Sequence, residues 1–182
     1  MDNGASSYRR FLDGDDNGIA EIIDRYCDGL ILYLTSFTRN TADAEDLAED
    51  TFVRLAIKKP KYNGKASFRT WLYRIGHNIA VDRIRKNFRE IPVDFTDYDI
   101  QTAELENSYI REENKILVHR ALLKLSGDHR QILWLVYFEG MSAEEASKVI
   151  GKSRRATESL LFRAKNALKT QLEKDGFVYE DT

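Results

Sequence analysis

Apolar residues recur at helical spacing along almost the whole of this chain. Ile19, Ile22, Ile23, Tyr26, Leu30, Leu34 and Phe37 keep the i, i+3, i+4, i+7 rhythm of an amphipathic helix. After the capping pair Asn40-Thr41, the acids Asp43, Glu45 and Asp46 suit the positive end of a helix dipole. Leu47, Phe52 and Leu55 then turn inward before Pro60 stops the run. Tyr62-Asn63-Gly64-Lys65 reads as a turn. A third helix over about 67–88 carries Phe68, Leu72, Ile75, Ile79 and Ile84 as its buried stripe.

The rhythm stops between Glu90 and Glu106, where Pro92 and the acids Asp94, Asp97, Asp99 and Glu104 describe a linker with no core of its own. It returns with Leu105, Tyr109, Ile116, Leu117, Ala121, Leu122 and Leu125, breaks at Ser126-Gly127-Asp128, and resumes with Ile132, Leu133, Leu135, Val136 and Phe138. No alternating strand run flanked by hairpin turns is present, so the expected class is all-α. The expected organisation is two small helical domains, 10–89 and 112–174, joined by an acidic linker over 90–111.

The sharpest local signal is Glu139-Gly140-Met141-Ser142-Ala143-Glu144-Glu145. Ser142 with Glu145 three residues on is a capping box, and Gly140 suits the end of the preceding helix. A short helix with Ala146, Val149 and Ile150 inward stops at Gly151, and Ser153 can cap the next. Helix, tight glycine turn, helix is the geometry of a helix-turn-helix, here over 142–168, whose second helix enters the major groove by its N-terminus. That second helix opens with Arg154-Arg155, cations placed at the positive end of a dipole, where a phosphate or a guanine edge would compensate them. Thr157, Glu158, Ser159, Arg163 and Lys165 extend its polar surface. The competing reading is a generic helical hairpin with a solvated basic end.

The formal net charge of −2 looks unsuited to a polyanion, but its distribution reverses that impression. Residues 1–56 carry −7, 57–89 carry +9, 90–113 carry −7 and 114–174 carry +6. Over a Debye length of roughly 8–10 Å a polyanion feels these blocks and not their sum. The first basic block interleaves Lys65, Arg69, Arg74, Arg83, Arg85 and Lys86 with Tyr62, Phe68, Trp71 and Tyr73. Charge to follow a backbone and rings to stack bases are what a single-stranded site requires. On a helix Thr70, Arg74, Asn78 and Arg85 fall close to one face, and Asn78 can both donate to and accept from base edges. Phe68 reads as core, while Trp71 stays open between core and stacking. The acidic stretch Asp43, Glu45, Asp46, Glu49 and Asp50 is either a solvated face or a dock for a basic protein, the former favoured on composition alone. The single cysteine, Cys27, sits among Ile22, Ile23, Tyr26, Leu30 and Ile31 and reads as a buried structural thiol in a reducing compartment. With neither a signal peptide nor an apolar run of membrane-spanning length, the chain reads as cytosolic.

Taken together these segments resemble the extracytoplasmic function group of bacterial sigma factors. DAEDLAEDTFVRLA (43–56) resembles the polymerase-binding helix of sigma region 2, FRTWLYRIGHNIAVDRIRK (68–86) the segment that melts and reads the −10 element, and HRQILWLVYFEGMSAEEASKVIGKSRRATESLLFRAK (129–165) region 4, which reads the −35 element. By resemblance, Asp43, Asp46, Glu49, Asp50 and Phe52 would meet the clamp of core RNA polymerase, in place of the solvated face that composition favours for that helix. Lys65, Arg69, Trp71, Arg74, His77, Asn78, Asp82, Arg83, Arg85 and Lys86 would serve the −10 element, where a base is flipped into a pocket. Arg154, Arg155, Thr157, Glu158, Ser159, Arg163 and Lys165 would serve the −35 element. The implied partners are core polymerase through its clamp and flap, promoter DNA and an anti-sigma factor, often membrane-anchored; the implied protein is a cytoplasmic monomer when free, with no cofactor and no catalytic residue. The recognition helix departs from the family at Arg155, Thr157, Glu158 and Leu160, so its −35 sequence is not inherited from relatives. His77 also departs from the residues common at its position.

Two other readings compete. A helix-turn-helix regulator acting outside the polymerase leaves both the acidic helix and the aromatic-basic helix unexplained. For an enzyme, the candidates His77, His119 and His129 lie 42 and 10 residues apart with no HExxH pair and no cysteine at ligand spacing, and GxSxG and P-loop motifs are absent.

Overall fold

The computed structural model describes residues 3–38, 40–90, 117–118 and 120–177. Helix α1 (Asn3–Leu12) leads into α2 (Asn17–Thr38), α3 (Thr41–Lys58) and α4 (Phe68–Glu90). In the second half, helical residues 120–123 precede α5 (Gly127–Leu133), which continues as one π-helical turn, Trp134–Phe138. Then come α6 (Ala143–Ile150) and α7 (Arg154–Lys174). No strand occurs among the described residues. The linker expected over 90–111 lies outside the described residues from 91 onward, and so does His119.

Helix α1 begins at Asn3, ahead of residue 10, where the first domain is expected to start. It belongs to that domain's core, since Tyr8 and Phe11 are buried and α1 packs on both α2 and α4. Its polar side is stitched down as well: Arg10 pairs with Asp15 at 2.6 Å and with Glu21 at 2.9 Å, and Ser7 donates to Glu21 at 2.7 Å. Asn40 caps α3 as its side chain accepts from the Ala42 N–H at 2.9 Å. The bend before α4 is an Asx turn, in which the Asn63 side chain accepts from the Lys65 N–H.

The stripe that α4 buries is not the isoleucine row expected from spacing. Phe68, Leu72, Tyr73, Gly76 and Ala80 are buried, whereas Ile75, Ile79 and Ile84 are half-exposed. Small residues at 76 and 80 let α4 approach α2 and α3 closely, so the deepest contact is made where side chains are smallest. Ile23 likewise points partly to solvent, and Cys27 is half-buried, its thiol pKa pushed up by desolvation.

The two halves touch. Helix α6 packs along α4, and α5 meets α2. One continuous apolar cluster runs from Tyr8 and Phe68 through Leu72 and Tyr73 to Ile132, Met141 and Val149.

Candidate nucleic-acid interface

On α4 the residues Arg74, Asn78, Asp82, Arg85 and Lys86 are exposed. A groove of about 470 Å³ runs beside them, lined by Trp71, His77, Asn78, Asp82 and Arg85, with Arg54 and Pro60 also in its wall. Trp71 is half-buried in a cluster with Tyr8, Tyr62 and Phe68, ring centroids 5.1 to 5.4 Å away. One part of the indole is therefore held by aromatic packing while another borders the groove. Lys65 is exposed on the approach to the helix and Arg69 is half-buried near Tyr73.

Other α4 residues stand apart from this group. Thr70 is 1% exposed, its hydroxyl 2.8 Å from that of Ser67, so it leaves the face assigned to it by spacing. Arg83 turns to α3, 2.6 Å from Asp50 and 3.9 Å from Asp46. His77 has its Nδ1 2.9 Å from the Tyr33 hydroxyl and its ring edge-on to Phe37. Burial holds the imidazole pKa down at about 4, with Arg74 adding to the effect, so it is neutral near pH 7. Tyr33, itself wholly buried with its pKa raised, stays protonated, and its hydroxyl shares a hydrogen bond with that nitrogen. His77 is thus held by α2, and only its outer edge borders the groove.

The acidic helix divides in two. Asp43, Glu45, Asp46, Glu49 and Asp50 are exposed, but Phe52 is 6% exposed and part of the core, so the expectation that it meets a partner is corrected. Two residues that the sequence pattern does not single out take its place beside the acids: Val53, and Ile57 at 70% exposure. Both leave apolar side chains in water beside the carboxylates.

The helix-turn-helix forms with the expected chemistry. Ser142 accepts from the Glu145 N–H, and the Glu145 carboxylate accepts from the Ser142 N–H at 3.0 Å. Gly151 ends α6 at φ +69°, a left-handed position that only glycine adopts freely. Ser153 then caps α7 by accepting from the Ala156 N–H. On α7, Arg154, Arg155, Glu158, Ser159, Arg163 and Lys165 are exposed. Thr157 is not: it is fully buried, with its hydroxyl donating to the Ser153 carbonyl at 3.0 Å, and it is removed from the DNA-facing set. Leu160 is buried too, which explains why an apolar residue stands there. Arg154 is 2.9 Å from Glu158, one turn on, so its charge at the helix start is partly neutralised within the chain. Phe162, 66% exposed between Ser159 and Arg163, escapes a reading by residue type, in which an aromatic counts as core; its helical phase with Arg155 and Ser159 is the signal that finds it.

Lys165 lies on the flank of α7, its ammonium 5.4 Å from the Tyr137 ring centroid. It borders a second, apolar groove of about 330 Å³ lined by Val118, Leu122, Tyr137, Phe138, Leu168 and Leu172, with Lys169 on the rim. Among the described residues no group of His, Cys, Asp and Glu is placed to hold a metal ion, and no helix is long and apolar enough to cross a membrane.

Comparison with known proteins accounts for both halves. Residues 22–90 match the family model of sigma-70 region 2, and 115–168 match that of sigma-70 region 4. RNA polymerase sigma factor NccH of Alcaligenes xylosoxydans xylosoxydans is 31% identical over 173 residues, covering 91% of this chain and 92% of that protein. RNA polymerase sigma factor YlaC of Bacillus subtilis is 28% identical over 165 residues, covering 87% and 94%. Among solved structures, CnrH in complex with the cytosolic domain of CnrY superposes with a TM-score of 0.64 at 26% identity, over 95% of this chain and 96% of that one. The sigma factor RpoE in complex with the anti-sigma factor NepR from Bartonella quintana gives 0.69 at 24% identity, over 85% and 96%, and supports the fold. With a region 2 match followed by a region 4 match, and relatives that align along nearly their whole length, the chain belongs to the extracytoplasmic function group of bacterial sigma factors.

Proposed function

We propose that this protein is an alternative sigma factor that joins core RNA polymerase and directs it to its own promoters. The observation that carries the reading is that one chain presents two separate polar surfaces of different design: the α4 groove with Trp71, Asn78 and Arg85, and the exposed start of α7. The first suits unpaired bases, since stacking and an amide edge read a strand whose bases are out of the helix. The second suits the major groove of duplex DNA. A regulator that only binds duplex has no use for the first.

In this reading Lys65, Arg69, Arg74, Arg85 and Lys86 follow the backbone of the −10 strand, and Asn78 and Asp82 meet base edges in the groove. Arg155, Ser159 and Arg163 approach the −35 duplex, with Phe162 beside them and Arg154 and Glu158 as a paired flank. The face of Asp43, Asp46, Glu49 and Asp50, with Val53 and Ile57, takes the basic clamp of the polymerase. The apolar groove under Tyr137 and Phe138 takes an apolar helix of its flap. No bond is made or broken by the chain; specificity is its contribution. It works in the bacterial cytoplasm as a monomer when free. The similar RpoE is in complex with the anti-sigma factor NepR; an anti-sigma factor covering these faces of the present chain would hold it inactive, at the membrane where that factor is anchored.

The test is reconstitution. Mixed with bacterial core polymerase, the protein should form a stable complex and give transcripts from a limited set of promoters selected from genomic fragments. Tight duplex binding with neither core binding nor promoter-specific transcripts returns the chain to the class of ordinary helix-turn-helix regulators.

A further inference from the structure

Arg154 and Glu158 form an ion pair whose order along the helix is the unfavourable one. A carboxylate one turn ahead of a cation complements the helix dipole, as Glu144 and Lys148 do on α6 at 3.0 Å. On α7 the cation comes first: Arg154 Nε donates to Glu158 Oε1 at 2.9 Å, with the guanidinium at the positive end of the dipole. Helix stability therefore does not account for the pair. Attraction to phosphate does not account for it either, because a carboxylate repels phosphate and the Glu144 charge also reaches the Arg154 guanidinium. Both side chains stand in water, at 68% and 50% exposure. Buried Thr157, Leu160 and Ala164 fix the rotation of α7, and Arg155, Glu158 and Phe162 follow one another at helical spacing on the exposed side.

One base pair offers, in the major groove, the pattern this couplet matches. Cytosine presents its N4 amino donor there, and the guanine paired with it presents the O6 and N7 acceptors alongside. Joined through Nε and one carboxylate oxygen, the couplet keeps Glu158 Oε2 as an acceptor and the two Arg154 Nη groups as donors. Adenine fits less well, since the N7 lone pair beside its N6 amino group faces the same carboxylate. We infer, on the reading of α7 as the −35 helix, that Arg154 and Glu158 act as one specificity-determining unit that reads a single C·G pair of the −35 element. Glu158 accepts from the cytosine amino group and Arg154 donates to the guanine edge. The ion pair within the chain is what admits a negative charge to the groove: it orients the carboxylate and offsets its repulsion from the flanking phosphates.

Selection from a pool of duplexes with a randomised window tests this, run with the full chain alone and with the chain bound to bacterial core polymerase. The wild type should enrich C·G about ten-fold over the other three pairs at one fixed position. Glu158→Gln replaces a carboxylate oxygen by an amide nitrogen, and an amide bonds adenine N6 and N7 together. The preference of that variant at the same position should therefore move to A·T, with neighbouring positions unchanged. Arg154→Ala should flatten the preference there. A pair that only braces the helix surface would leave the selected sequence as it was in both variants. A Glu158→Gln variant that selects the wild-type sequence at every position overturns the inference, as does a wild-type consensus with no C·G pair; in either case the −35 assignment of α7 stands. Enrichment of no sequence, with core polymerase or without, removes that assignment and the couplet with it.

Discussion

His77 shows how one side chain records the environment built around it. Its imidazole is kept neutral by burial and by Arg74 and Lys152, with Asp128 opposing them, and its pKa falls to about 4. A histidine depressed in the folded state leaves stability intact above its unfolded value of about 6.5, and stability is lost as pH falls towards the folded value. Between pH 7 and pH 4.5 the wild type should therefore lose about 2 kcal/mol more than His77→Gln. Urea midpoints of the two proteins at both pH values check this, since the carboxylates shared by both cancel in the comparison. At Ser142 the capping box makes a second prediction. Ser142→Ala removes a hydroxyl that satisfies a helix-end donor and should cost about 1 kcal/mol, read as a drop of a few degrees in Tm. Equal stability of the two proteins would show that the cap is dispensable.

At the scale of elements, the proposed function assigns polymerase recognition to α3 and −35 recognition to α7. Replacing Asp46 and Glu49 by alanine, or Ile57 by aspartate, should weaken core polymerase binding about ten-fold and leave binding to a −35 duplex unchanged, as measured by competition for core. Arg155→Ala should do the reverse. Binding to the −35 duplex should weaken and its salt slope fall by about one, with core affinity retained. These elements are largely legible without the fold, because capping boxes, glycine stops and helical rhythm are local. The order of the acidic helix, basic aromatic helix and helix-turn-helix is legible for the same reason. What the sequence hides is what packing decides. Helix α1 has Ala5, Tyr8, Phe11 and Leu12 in only ten residues, too short a rhythm to separate from a loop. Thr157 and Thr70 are polar, yet both satisfy their hydroxyls locally and turn inward. Phe52 and Phe162 are the same residue type with opposite fates, and only the neighbouring helices distinguish them.

For the molecule as a whole, the apparent mismatch between a net charge of −2 and a nucleic-acid role dissolves once the charges are seen on their helices. Acidic α3 lies against basic α4, and their meeting point is the pairing of Arg83 with Asp50 and Asp46. Both sides of that pair are partly exposed, so on its own it adds at most about 1 kcal/mol to stability. Its position gives it a different weight. A polymerase surface that claims Asp50 must displace Arg83, which then projects from the helix that carries Asn78 and Arg85. Thermodynamic linkage makes such an exchange reciprocal: whatever factor the polymerase adds to the grip on an opened strand, that strand adds to the grip on the polymerase. One surface ion pair would thereby make commitment to enzyme and to promoter a joint event.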